Sequence, residues 1–490
     1  MRIRTTLAST GLTAVMLACC TATTDAANAQ PTTADLVTAV ELRAVQGHLR
    51  QLQKIADANG GNRESLSAGA EKTAEYIAAQ LRESGYEPVL QHFPYMRLEE
   101  QSPPVLEQTA PEARQYRQGK DFASLPLEGS GDVTASVTTV RPGSADCQDD
   151  WTGFRKGTIA LVKVENGCDP AQQAQDAAAA GAAAVVVHRG GISAVPKRST
   201  PDDDTETPEI DIPVLVVSPQ AASEFTASAG EGTLKLRVKV DQKWFRRGTG
   251  VNVIADTKRG SADSIVMVGA HLDSVPQGPG INDNGTGTAA VLVIAQRLPK
   301  LGKQIKNRVR FAWWGAEELN LVGSAFYVKS LDEAERRKIA LYLNFDMVGS
   351  PNGVRFVFDG DDSLGEGTDP PKGSEQIEKV LTGYFARRGL QTTPMRIHGG
   401  SDHRSFAAAG IPVGGMETGT DELKTQEQAA IYGGDAGEPY DACYHKRCDD
   451  LRNINAGLLD QMADGAAYAV RHFASTTPAL HPWSPVAGRG

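Results

Sequence analysis

Cysteine is scarce in this chain and positive charge is in deficit. Six cysteines stand among 490 residues, and two of them, Cys19 and Cys20, fall close to the start. The formal net charge of −10 argues against nucleic acid or an anionic membrane surface as a partner. Beyond the amino terminus no run is apolar and long enough to cross a bilayer, which takes about 20 residues. Internal repeats, coiled-coil heptads and a phosphate-binding loop are also missing. What is left is an ordinary soluble composition, 40% hydrophobic and 22% charged, long enough for two or three domains.

The first residues read as an export leader. Arg2 and Arg4 precede an apolar run from Leu7 to Cys20, and Ala27-Asn28-Ala29 offers a small-x-small cleavage site before Gln30. The leader is therefore placed at 1–29 and the mature chain outside the cell, with no stable membrane partner. Met16-Leu17-Ala18-Cys19 is a poor lipoprotein box, so a lipid anchor at Cys19 is the lesser alternative. Four cysteines follow, Cys147, Cys168, Cys443 and Cys448. An even count in an exported chain suggests disulfides, and proximity pairs Cys147 with Cys168 and Cys443 with Cys448. A structural zinc site built from all four is the alternative, but Cys147 and Cys168 are too far apart for the usual short spacing.

Helical periodicity opens the mature chain. Leu42, Val45, Leu49, Leu52 and Ile55 share one face up to Asn59-Gly60-Gly61, and a second helix over 70–84 ends at Gly85. From 131 to 245 short valine-rich strands (159–164, 183–187, 214–217) alternate with glycine and proline around an alanine-rich helix at 171–180. That texture predicts a small domain inserted between two parts of a larger one, 30–130 and 246–475. The second part alternates strands at 251–255, 265–270, 309–314 and 341–345 with a helix at 286–298. The fold class is therefore α/β, a mainly parallel sheet between helices, and its ligands belong at the carboxyl ends of the strands. Residues 476–490 read as a flexible tail.

Acidic and histidine residues do cluster just past those strands. His271 and Asp273 end the second strand; by itself His-x-Asp fits a structural histidine better than a ligand. Asp283 lies in Gly280-Ile281-Asn282-Asp283-Asn284-Gly285, where an N-cap or Asx-turn is the plain reading. Glu317 and Glu318 leave the third strand as adjacent like charges, which calls for an explanation. One carboxylate on a metal with its neighbour as general base supplies one. Asp346 follows the fourth strand, and His445 sits between Cys443 and Cys448 beside Tyr444. The set suits two zinc ions sharing one bridging carboxylate.

In this order the segments resemble the secreted bacterial double-zinc leucyl aminopeptidases, a transferrin-receptor-like peptidase fold. The likeness covers Gly60-Gly61-Asn62-Arg63 and Leu451-Arg452-Asn453-Ile454-Asn455 as well. It implies that His271 and Asp346 hold one zinc, Glu318 and His445 the other, and Asp283 both. It makes Glu317 the general base, Asp273 the residue that orients His271, and Tyr444 the donor to the tetrahedral intermediate. It implies peptides with a free amino terminus as substrates and large apolar leading residues such as leucine; separately, the chain is expected to be a monomer. Phe154-Arg155-Lys156-Gly157-Thr158-Ile159 and Ala180-Gly181-Ala182 resemble a protease-associated domain. Relatives also carry calcium where Asp460 and Asp464 stand, and Asp35 would complete that site. Gly400 occupies a place where some relatives have arginine, which leaves His403 as an extra polar contact. Two other readings stay open: a single-zinc cyclase of amino-terminal glutamine, and a non-catalytic binding protein. The complete ligand set speaks against both.

Overall fold

The computed structural model describes residues 35–125, 129–140, 150–164, 170–188, 210–365, 369–397 and 399–476. The predicted leader, the tail beyond Thr476 and the Cys147–Cys168 pair lie outside the described residues. Two helices open the described chain, Leu42–Ala58 and Ala68–Glu83. The first buries Val45, Leu49, Leu52 and Ile55, the face its periodicity marks. The second starts on Ser67, whose hydroxyl accepts from the amides of Gly69 and Ala70. It gives way at Gly85, at φ +87°.

The chain enters a first sheet as β1 (Val89–Glu100). It leaves for a second sheet through β2 (Val105–Ala110), β3 (Arg114–Gln115), β4 (Phe122–Ser124) and β5 (Gly131–Thr139). There follow β6 (Ile159–Lys163), β7 (Ala184–His188), β8 (Val214–Val217) and β9 (Lys235–Val240). It returns as β10 (Gln242–Asp256), antiparallel to β1 with Glu100 opposite Gln242. The excursion therefore begins and ends on one two-stranded stem. The second sheet has the order β3-β2-β9-β5-β6-β7-β8-β4, and β5 to β8 are parallel neighbours. The expected strand–helix–strand run is present, with helix Pro170–Ala179 joining β6 to β7. The sheet draws on chain well before residue 131, because β2 pairs along β9 and β4 along β8. Those early strands are short and mix charged with apolar residues, so no valine run marks them in the sequence.

The first sheet is completed by β11 (Ser261–His271), β12 (Asn307–Trp314), β13 (Ile339–Phe345), β14 (Phe356–Phe358), β15 (Thr393–Met395) and β16 (Val413–Glu417). Its order is β1-β10-β12-β11-β13-β16-β14-β15. The four central strands β12, β11, β13 and β16 are parallel, β1 and β10 run antiparallel to their neighbours, and β14 runs antiparallel to β16 but parallel to β15. The sheet is thus mixed, with a parallel centre. Parallel neighbours need crossovers, and helices Gly287–Arg297, Val322–Ser330 and Ser374–Arg387 provide them. All seven residues of β13 are buried, as a strand covered on both faces requires.

Register decides where the polar residues go. His271 pairs with Trp314 across β11 and β12, and Gly269 with Asn344 across β11 and β13. Phe345 pairs with Met416 across β13 and β16. His271, Glu317, Glu318, Asp346 and Glu417 therefore leave the same edge of the parallel centre. No helix among the described residues is long and apolar enough to cross a membrane.

Candidate metal centre

Asp283 sits at the middle of the cluster, and its two carboxylate oxygens face opposite ways. His271 Nε2 lies 3.2 Å from Asp283 Oδ1 and 3.2 Å from Asp346 Oδ1. His445 Nε2 lies 3.1 Å from Asp283 Oδ2 and 3.2 Å from Glu318 Oε2. Two donors bound at zinc's usual distance of about 2.0 Å in a tetrahedral site stand about 3.3 Å apart. Each histidine stands at about that spacing from its two carboxylate neighbours, and His271, Asp283 and Glu318, like His271, Glu317 and Asp346, present ligand atoms within 4.8 Å of one another. Both ring nitrogens of His271, Glu318 Oε1 and Asp346 Oδ1 are buried with no hydrogen-bond partner. Orphaned groups of this kind are costly; cations would satisfy His271 Nε2, Glu318 Oε1 and Asp346 Oδ1, while His271 Nδ1 faces Asp273. The donor set and its spacing fit two metal ions.

Each donor is fixed by a partner behind it. Asp273 Oδ1 lies 3.6 Å from His271 Nδ1, accepts the Glu317 amide at 3.3 Å, and takes the Ser65 hydroxyl on its other oxygen. A run of hydrogen bonds leads to Asp346. Trp314 Nε1 donates to the Tyr342 hydroxyl, Tyr342 to Asn344 Oδ1, Asn344 Nδ2 to Ser401 Oγ, and Ser401 to Asp346 Oδ2 at 2.7 Å. Asp449 accepts the amides of Asn282 at 2.7 Å and Asp283 at 3.0 Å. Asn453 ties Asp449 to Asp441. Arg63 is fully buried and donates to the carbonyls of Leu272, Pro279 and Gly280, so it joins the His271 strand end to the Asp283 loop.

Backbone detail explains the loop chemistry. Gly280 has φ +64°, and a Cβ there would stand 2.3 Å from the Asp283 carbonyl oxygen. A Cβ at Gly287 would stand 2.1 Å from the Phe345 carbonyl oxygen, so the helix after Asp283 approaches the Asp346 strand only because that residue is glycine. Ala316, Met347 and His445 have φ of +55°, +48° and +55°. They flank or are the candidate ligands, and such non-glycine positions cost about 1–3 kcal/mol each, held by the surrounding packing. The predicted Cys443–Cys448 disulfide is present, with Cα atoms 5.3 Å apart, and it holds the turn that carries His445.

Electrostatics set the two glutamates apart from ordinary surface acids. Burial, then the nearby charges of Glu318, Asp346 and Asp402, push Glu317 well above the carboxylate range against the pull of His271. Burial and Asp283 raise Glu318 to about 7. Burial opposes ionisation of Asp283, yet His271 and His445 outweigh it and hold its carboxyl low. His445 loses proton affinity to burial, but Asp283 and Glu318 lift it to about 10. Divalent cations would reverse these trends, making the histidines neutral donors and the glutamates anions. Burial and the surrounding carboxylates push the Tyr444 phenol far up, so it stays a donor.

Glu317, Glu318, Asp346, Tyr444 and His445 open onto a cavity of about 320 Å³. A wider depression of about 500 Å³ at the amino end of β12 is lined by Asp256, Arg308 and Arg310. Asp256 and Arg310 neutralise each other there in a two-pronged contact at 2.7 and 2.8 Å, and no ligand set converges on it. Asp359, Asp361 and Glu378 also approach one another, but Asp359 closes its own loop by accepting from Ser363 and Leu364. The expected calcium residues are not brought into one ligand set among the described residues. Asp35 caps a short helix by accepting the Val37 amide, and it pairs with Arg471 at 2.9 Å. Burial, then the charges of Asp460 and Asp35, raise Asp464 to about 6 against the pull of Arg388. His403 lies buried against the Phe358 ring, 4.8 Å between centroids, and is not among the residues lining the cavity. Arg404 reaches from the following position to the carbonyl of Gly399 and to Asn320.

Residues 252–470 match Peptidase family M28, and residues 133–225 match the PA domain. An aminopeptidase of Pseudomonas aeruginosa is 39% identical over 449 residues, 90% of this chain and 82% of that protein. This chain belongs to peptidase family M28. Leucine aminopeptidase 2 of Arthroderma otae is 34% identical, over 93% of this chain and 88% of its own length. The solved aminopeptidase from Aneurinibacillus sp. strain AM-1 shares the fold, with a TM-score of 0.59 and 24% identity over 89% of this chain and 94% of that one. This M28 chain is therefore a peptidase, a hydrolase with a PA domain set into its catalytic fold. Arg63, Ser401, Asp441 and Asn453 are supporting residues to which sequence reasoning assigned no role. Only the placement of Arg63 and Asn453 within the recognised motifs could have pointed to two of them.

Proposed function

We propose that this M28 peptidase is an exported, monomeric aminopeptidase that uses two zinc ions to release the leading residue of peptides, with large apolar residues such as leucine among its substrates. The observation that carries the reading is the split of Asp283, one oxygen toward His271, which also faces Asp346, and the other toward His445, which also faces Glu318. The names of the Pseudomonas and Arthroderma relatives support the activity and, for the second, the leucine preference. The Cys443–Cys448 disulfide supports an oxidising compartment.

His271, Asp346, Glu318, His445 and the shared Asp283 would hold the metals. Divalent ions held there would supply an activated water and polarise the scissile carbonyl. Glu317 takes the proton of that water and returns it to the leaving amine. Asp273 keeps His271 in the tautomer that offers Nε2. Tyr444 donates to the carbonyl oxygen as negative charge develops. The carboxylates around the cavity hold the substrate's terminal ammonium, which confines cleavage to the first bond.

The test compares leucine p-nitroanilide with its N-acetylated form, using zinc-loaded mature protein. Release from the free amine only is expected. Equal release from both would contradict an amine-reading peptidase.

A further inference from the structure

His445 is a wall of two cavities. On one side it closes the acidic cavity already described, and on the other it borders a depression of about 460 Å³. The two differ in sign. Asp283, Glu317, Glu318 and Asp346 face the first, whereas Lys446 and Arg447 line the second and, among the described residues, no carboxylate does. The acids that follow in the chain are engaged elsewhere, Asp449 with the amides of Asn282 and Asp283 and Asp450 with Arg452. Lys446 Nζ donates to the Ala442 carbonyl at 2.9 Å, a neutral partner that leaves its charge in place.

The turn that carries these cations is held from several sides. The Cys443–Cys448 disulfide closes it, and the Lys446 amide donates to the Cys443 carbonyl at 2.9 Å. A Cβ on Gly278 would stand 2.3 Å from the Lys446 carbonyl oxygen, so the chain after Pro276 lies directly against it. Asn62 donates to the Pro276 carbonyl at 3.0 Å and ties in the turn before it. That turn is Gly60-Gly61, both at φ +87°, and it lines the depression without putting a side chain into it.

The first residue of a substrate occupies the acidic cavity, where carboxylates hold its ammonium. The rest of the peptide has to leave past the metal ligands, and past His445 it meets the cationic depression. In a tripeptide the chain-end carboxylate lies two residues beyond the bond that breaks, a reach of about 7 Å when extended. A carboxylate there meets opposite charge, whereas in the acidic cavity it would be repelled.

We propose that Lys446 and Arg447 bind the leaving part of the substrate and favour a carboxylate within its first two residues, supplied by the end of a short peptide or by an acidic side chain. The proposal rests on the aminopeptidase reading above.

The experiment measures kcat/KM for leucine release in two substrate pairs, using zinc-loaded wild type, Lys446→Gln, Arg447→Gln and the double variant. Leucyl-alanyl-alanine and its carboxamide differ in the charge at the chain end. Leucyl-glutamyl-alaninamide and leucyl-glutaminyl-alaninamide differ in a side-chain charge. Both substituted residues are exposed. At low ionic strength wild type should favour the charged member of at least one pair by about fivefold, and the pair that shows it identifies the source of the carboxylate. Each single substitution should remove part of the ratio, and the double variant should bring it near one. Each ratio compares two substrates on one protein, so damage to the metal site would lower both members and leave the ratio unmoved. Ratios near one in both pairs for wild type overturn the proposal and leave the aminopeptidase reading standing. A preference that survives the double substitution overturns the role of these two cations. Release of leucine from none of the four by protein with zinc bound overturns both readings.

Discussion

The two sheets are built on similar local principles and differ in the residues just past their strands. In the inserted sheet β6, β7 and β8 are parallel and buried, with only Lys163 exposed and His188 half-buried at their ends. In the larger sheet β11, β12 and β13 are also parallel and buried, but they end in His271, Glu317-Glu318 and Asp346. Among the described residues every converging histidine and carboxylate group lies on the larger sheet side of the chain. The difference teaches that the fold supplies an edge, and that the side chains at that edge decide whether it does chemistry.

The largest expected effect separates the two regions by activity. Glu317→Gln should keep its metal and lose about 10³-fold in kcat, within the usual reach of a positioned base. Near-normal turnover in a zinc-replete variant would remove Glu317 from that role. The matching cut in the insert is Phe225→Ala. Phe225 is fully buried and meets the Tyr116 ring edge-on at 5.1 Å between centroids. Its loss should weaken the insert's unfolding transition by about 3–5 kcal/mol while zinc content and leucine p-nitroanilide turnover hold. A parallel loss of zinc would mean that the two regions are not separable in this way.

A finer cut falls behind the ligands. Asp449 accepts two backbone amides beside the bridging Asp283, and Asp449→Asn turns one acceptor into a donor that faces a donor. Chelator competition should show metal held about 10–100-fold less tightly. Unchanged affinity would make Asp449 a loop brace only. The smallest effect tests packing with no metal involved. His48 is buried between the Tyr76 hydroxyl at 2.5 Å and Gln296 at 3.3 Å, and burial holds its pKa below 6.5. The unfolded chain takes up the proton near the ordinary value while the folded ring is still neutral. Stability from this site is therefore present above about pH 6.5 and is lost as pH falls below it. The thermal midpoint should drop more between about pH 7.5 and 5.5 in wild type than in His48→Gln. Equal drops would count against it.

The sequence carried much of this because strand ends are legible. An apolar run followed by His, Glu-Glu or Asp marks both the strand and the edge where its last residues emerge. The parallel register then needs no further signal to bring His271, Glu318 and Asp346 together. Ser67, Gly85, Gly280 and Gly287 mark turns and caps by their own chemistry. The antiparallel stem and the strands at 105–124 were not legible, since pairing of Glu100 with Gln242 joins residues far apart in the chain and leaves no local pattern. Nor were the supports of the site. Ser401 reaches Asp346 and Arg63 reaches Leu272 only through tertiary contacts, and a serine or an arginine in a loop has no periodicity to betray it. The calcium expectation has no support from a converged ligand set among the described residues, although Asp35 and Asp460 both act on Asp464. Asp460 and Asp464 lie on one helix face as their spacing requires, but spacing on one helix does not say that Arg471 meets Asp35.

The central claim is that Asp283 joins two metal sites, and counting bound zinc tests it most directly. After equilibration with zinc and removal of the excess, elemental analysis of the folded chain should give two ions for wild type and one for His445→Ala. A single ion in wild type, or two retained when His445 is gone, would contradict the shared-carboxylate arrangement.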